Sequence, residues 1–170
     1  MTHSYTVLKM TLKSAHHMSV DVLRKFVTGG VSVLVGTVDA EGMPASCRAI
    51  GVASRDGFES VTVYVPAATA QETVANVATT RRVAISCSHP LSHETIQIKG
   101  VTRGVRLAPP DEEPFVRERL AQLAGILSEI GLPQSVAASM SCWPAFAIEV
   151  SIEQLFDQTP GPNAGNEIVR

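Results

Sequence analysis

Apolar and polar residues along positions 31–54 form two runs of extended-chain pattern joined by a polar turn. Val31, Val33, Val35 and Val38 supply the β-branched residues that pack well on a pleated surface, and Asp39, Glu41 and Gly42 supply turn chemistry, with Gly42 free to take φ > 0. The pattern predicts one long β-hairpin. Its return strand carries Arg48 among Ala45, Ala49, Ile50 and Val52. A cation so close to an apolar sheet face calls for an anion, either a carboxylate of this chain or the phosphate of a ligand.

The pattern continues on both sides of the hairpin. Before it, Ser19 is placed to cap a short helix that Gly29 ends. After it, residues 60–65 form a third strand closed by Pro66. Thr69 followed three residues later by Glu72 fits a capping box, so a helix is expected from Ala70 to near Thr80, burying Val74 and Val77. Residues 82–88 read as a fourth strand and residues 94–107 as a long fifth, in which Gly100 and Gly104 mark bulges. Val116, Leu120, Leu123, Leu127 and Ile130 lie on one stripe of a helix over 111–130 that Gly131 ends. Residues 132–140 add a short helix and residues 145–152 alternate as a sixth strand. Six strands with interspersed helices predict a mainly β (α+β) domain, a six-stranded antiparallel barrel with flanking helices. The expected organisation is an N-terminal arm over 1–18, one domain over 19–157 and a C-terminal tail over 158–170, the tail having too little apolar area to fold by itself.

Composition narrows the function classes. Of 170 residues, 45% are hydrophobic and 18% charged, which fits a chain that buries a sizeable core. A formal net charge of −2 gives no basic footprint for nucleic acid or an anionic membrane. The first 19 residues lack the continuous apolar core of a secretory signal or membrane span, so the expected location is cytoplasmic. Cys47, Cys87 and Cys142 stand apart from one another, which argues for buried thiols rather than a disulfide framework or a zinc site. His89 and His93 flank Pro90 in an expected turn, where they are poorly placed to clasp a metal.

Three segments carry a family resemblance. The hairpin with Arg48 on its second strand, the strand-helix-strand segment 61–87 with Asn76-Val77 and Arg82-Val83, and the bent strand of residues 94–104 together resemble the flavin-binding split barrel of the pyridoxamine 5′-phosphate oxidase superfamily over residues 31–156. The resemblance implies FMN bound at the interface of a homodimer, acting on a small-molecule substrate. It places the cofactor against Arg48, Ala49, Ile50, Val65, Thr69, Gln71, Asn76, Thr95 and Gln97, with Arg48 and Thr69 at the phosphate and Thr95 and Gln97 at the isoalloxazine ring. The family's basic residue at the helix start falls here on Ala70, Gln71 or Thr73, none of them a cation, and Glu72 stands in the same turn. The implied activity is an FMN-dependent oxidoreductase in which the flavin carries the redox chemistry and no acid-base residue is required. Oxidation of pyridoxamine phosphate itself is not expected, because the basic C-terminal motif of the true oxidases is missing. The alternative is a non-catalytic flavin- or haem-binding module, with His89 or His93 as an iron ligand.

Overall fold

The structure is a computed structural model that describes residues 16–169. Of the arm expected over 1–18, residues 1–15 lie outside the described residues. Nine strands are described: β1 (His16–His17), β2 (Ser32–Val38), β3 (Pro44–Ala49), β4 (Gly51–Arg55), β5 (Ser60–Pro66), β6 (Arg82–Ser88), β7 (Thr95–Leu107), β8 (Ala145–Asp157) and β9 (Asn166–Val169). Four α-helices accompany them, α1 (Val20–Val27), α2 (Gln71–Thr79), α3 (Glu113–Glu129) and α4 (Gln134–Ala138). No helix among the described residues is long and apolar enough to cross a membrane.

One sheet runs in the order β1-β9-β8-β7-β6-β2-β3, with β5 joined to β8 and β4 to β5. All pairings are antiparallel except that of β1 with β9. The long strand β8 pairs with β7 along one edge and divides the other between β5, over Ala145 to Ser151, and β9, over Phe156 and Asp157. The curled sheet is thereby held in two parts that share β8.

Nine strands replace the six expected, for identifiable reasons. The return strand of the hairpin changes partner at Ile50: Ala49 still pairs with Val33 of β2, whereas Gly51 pairs with Tyr64 of β5. The Ile50 amide donates to the Tyr64 carbonyl at 2.9 Å, so the chain turns the barrel corner there. β9 forms at the end of the expected tail by adding to β8, with Ile168 buried, and β1 in turn adds to β9. The two bulges of β7 fall where the glycines led us to expect them, between Lys99 and Gly100 and between Thr102 and Gly104. Gly100 is required by packing, since a Cβ there would sit 2.0 Å from the Ser151 carbonyl oxygen.

Alternation along the strands builds the main core, with Val33, Val35, Ile85, Ile98, Ile148 and Val150 turned inward beside Leu23 and Val27 of α1. Fully burying each such side chain contributes about 1.5–3 kcal/mol. A second cluster outside the barrel seats α3, where Val116 packs with Ile50, Tyr64, Ala147 and Cys142. Ser19 caps α1 as expected, its hydroxyl accepting the Val22 amide. α2 departs from expectation. Its N-cap is Ala70, wholly buried, and the capping box does not form; the Thr69 hydroxyl turns back toward the Pro66 carbonyl at 3.4 Å.

Candidate functional site

The face of β3, β2, β6 and β7 that points away from the core is a set of cross-strand rows. One row runs Arg48, Leu34, Ser86, Gln97 and Phe156. On one side of it lie Ser32, Ser88 and Thr95, and on the other Ser46, Gly36, Ala84, Lys99 and Gln154. Hydrogen bonds stitch the first two rows: Arg48 Nη1 donates to Ser32 Oγ at 2.9 Å, Gln97 Nε2 to Ser86 Oγ at 3.3 Å, and Thr95 Oγ1 lies 3.0 Å from Ser88 Oγ. Ser46, Gly36 and Ala84 of the third row are small, so the strands there form the floor of a groove of about 600 Å³, walled by Pro44 and Val38 on one side and by Arg82, Lys99 and Glu153 on the other. That volume suits a small organic ligand. The surface thus offers hydroxyl and amide groups in two orientations beside a shelf that a flat ring can approach closely.

The nine residues that the resemblance implies are distributed over this face, the start of α2 and the interior. Arg48, Thr95 and Gln97 stand on the outer face. Arg48 is exposed rather than lodged near the core, because Ala45, Cys47 and Ala49 are the inward-leaning positions of β3 and Arg48 alternates with them. Its hydrogen bond goes to a serine, and no carboxylate lies within ion-pair distance of it among the described residues. Thr69 and Gln71 are exposed at the start of α2. Ala49, Ile50, Val65 and Asn76 are buried, and the Asn76 amide donates to Thr37 Oγ1 at 3.1 Å. α2 is tied to the arginine-bearing strand by Thr73, whose hydroxyl donates to Cys47 Sγ at 3.1 Å. The first turn of the helix therefore lies beside the end of β3 that carries Arg48.

Two arginines follow α2, and both are engaged at its far end. Arg81 directs Nε and Nη2 to the Thr102 carbonyl at 3.1 and 2.9 Å, and Arg82 pairs with Glu153 at 3.3 Å. Neither serves the helix start.

No family model matches this chain, and no curated protein matches its sequence. Solved structures do match. HupZ of Group A Streptococcus superposes with a TM-score of 0.54 at 15% identity, covering 87% of this chain and 100% of that one. An FMN-binding protein from Syntrophomonas wolfei gives 0.51 at 12% identity over 79% of this chain and 82% of that one. A pyridoxamine 5′-phosphate oxidase candidate from Lactobacillus delbrueckii gives 0.50 at 17% identity over 87% and 97%. The fold is the split barrel that these structures share. At these identities the likeness is one of architecture, and the site of this split barrel rests on its own side chains.

Those side chains include several that the sequence did not single out. Ser32, Ser86, Ser88 and Lys99 belong to the outer face as much as Thr95 and Gln97 do. Their signal is the run of hydroxyl and small residues at alternate positions of three strands that turn out to be neighbours. Of the thiols, Cys87 and Cys142 are buried as expected and Cys47 is half-buried. Burial pushes the Cys47 thiol up from its ordinary 9.0, against the smaller opposing effect of the Thr73 hydroxyl. It is a packed, protonated thiol rather than a nucleophile. His89 and His93 border the turn between β6 and β7. The Ser92 amide donates to His89 Nδ1 at 3.2 Å, which puts the ring proton on Nε2. As arranged, that imidazole presents an N–H donor rather than a lone pair for iron.

Proposed function

We propose that this split barrel is a flavin-dependent oxidoreductase that moves hydride or electrons between the flavin and a small organic or nicotinamide substrate. FMN is the form of flavin that the resemblance implies. The observation that carries this reading is the outer face itself: Ser32, Ser86, Ser88, Thr95 and Gln97 aligned across three strands, beside a groove floored by Gly36 and Ala84. An isoalloxazine is flat and edged with hydrogen-bond acceptors and one donor, and such a face supplies partners for that edge and room for the ring. A solved protein of the same architecture is named as FMN-binding, which supports flavin as a ligand for such a barrel.

When bound, the flavin supplies the redox chemistry, and the chain orients it and keeps water away. A single copy does the second task poorly, because the outer face is open and Leu34 at its centre is 48% exposed. A second copy laid against this face would cover Leu34 and enclose the ring, so the working form is a homodimer with the flavin between the two chains. The test is direct. Protein purified without added cofactor is denatured and the released small molecule is identified by mass, with the visible spectrum recorded beforehand. Flavin in the supernatant is the expected result; release of haem, or failure of the apo-protein to take up any flavin, would overturn the proposal.

A further inference from the structure

We propose that the site recognises the ring and ribityl chain of a flavin and gains almost nothing from its phosphate, so that riboflavin and FMN bind nearly alike. This inference rests on the flavin reading above and concerns which flavin the chain takes.

A phosphate monoester near neutral pH carries a charge of about −1.5 to −2 and needs several donors or cations to leave water. At the start of α2, where the resemblance puts the phosphate, each group of the helix that might serve is engaged elsewhere or has the wrong sign. Residues 66–80 contain no Lys, Arg or His. The Thr69 hydroxyl points back at the Pro66 carbonyl. The Thr73 hydroxyl is buried and donates to Cys47 Sγ, and the Asn76 amide is buried and donates to Thr37. Arg81 is held by the Thr102 carbonyl and Arg82 by Glu153, both beyond the opposite end of a nine-residue helix. That length puts them about 13 Å away. What remains is Arg48, already bonded to Ser32, and Glu72, exposed in the first turn of the helix. Arg48 is thus a single cation, short of the several donors a phosphate needs, and the Glu72 carboxylate offsets the helix end's own attraction for anions. The ring's partners bond to one another, Gln97 to Ser86 and Thr95 to Ser88, but they stand on the outer face and keep further donor and acceptor capacity for a flat ring.

The structure also says where a phosphate preference can be installed. Gln71 is exposed at the first position of α2, whereas Thr73 is 1% exposed and bonded, so a lysine at position 73 would break packing and one at position 71 would not. The experiment titrates apo-protein with riboflavin and with FMN, following flavin fluorescence at low and at physiological salt, for the parent and for Gln71→Lys. The expected result is dissociation constants within about threefold of each other for the parent, insensitive to salt, and an FMN-to-riboflavin preference of about five- to tenfold in Gln71→Lys that shrinks as salt rises. A parent that binds FMN tenfold or more tightly than riboflavin overturns the inference while leaving the flavin reading standing. So does a Gln71→Lys variant with an unchanged ratio, because the phosphate then lies away from the helix start. Binding of neither flavin overturns the flavin reading itself, and this inference with it.

Discussion

The buried amide of Asn76 donates to the Thr37 hydroxyl across 3.1 Å and ties α2 to β2 inside the barrel. Removing one partner strands the other without water, whereas replacing both by apolar groups of similar shape does not. Asn76→Ala should therefore cost about 2 kcal/mol in urea unfolding, and the double change Asn76→Leu with Thr37→Val should recover most of it. Equal destabilisation by the single and double variants would show that packing rather than the hydrogen bond decides. A second residue links the core to pH. Burial pushes the Cys87 thiol up to about 12 from its ordinary 9.0. The folded chain keeps this thiol protonated while the unfolded chain ionises it, so its contribution is complete below pH 9 and is lost as pH rises toward 12. Across that window stability should fall by about 1.4 kcal/mol per pH unit on this account, and Cys87→Ala should flatten the slope by that amount. A slope identical in the two proteins would place the alkaline loss in other groups. At this scale the sequence was only partly informative. It marked Arg48, Thr95 and Gln97, yet it set Arg48 beside the core, because the choice of which alternate positions turn inward depends on the strand's neighbours.

Elements were more legible than side chains. The strands over 82–88 and 94–107 and the helix ended by Gly131, at φ 85°, follow from alternation, helical period and breakers that act within a few residues. The break at Ile50 leaves no such mark. Apolar and small residues continue across it, and only the change of partner from β2 to β5 makes two strands of one. β9 was missed because four residues behind a polar stretch carry little signal until β8 offers an edge. The capping box failed for a local reason: the Thr69 amide and hydroxyl both turn back to the Pro66 carbonyl, which delays the helix by one residue. Gly100 gives the sharpest test at this scale. With the Ser151 oxygen in the way of any Cβ, Gly100→Ala must push β7 from β8, costing about 3 kcal/mol of stability. Gly104, with open space around it, should accept alanine at less than about 1 kcal/mol. Similar losses for both in thermal melts would mean that conformational freedom, not contact, is what the bulges need.

For the whole molecule, the barrel was legible from its succession of strands and helices, and the outer face was not. Its rows draw on strands that are far apart in sequence, and only the order β3-β2-β6-β7 brings them side by side. The proposed homodimer uses that face, and Leu34→Asp puts a charge at its centre without touching the core. Light scattering should give about twice 18.1 kDa for the parent and a single chain for the variant, with flavin retention falling alongside. A parent that scatters as one chain at micromolar concentration would argue against a shared site.

The sheet ends at β3, six residues long, whose outer side has no strand partner among the described residues. An open strand edge is a template on which further chains can grow, so its sequence bears on whether the protein stays dispersed. Pro44 opens the strand without an N–H to offer, and Arg48 keeps a charge near the other end, so a chain adding there meets a missing donor and a like charge from its own copy. On this account Pro44 of the groove wall and Arg48 of the outer face would also guard the edge against fibrous assembly. Pro44→Val combined with Arg48→Val should clarify this: on gentle warming its solutions should turn turbid at concentrations where the parent stays clear, and equal clarity would mean that the edge is sheltered by something other than its own two guards.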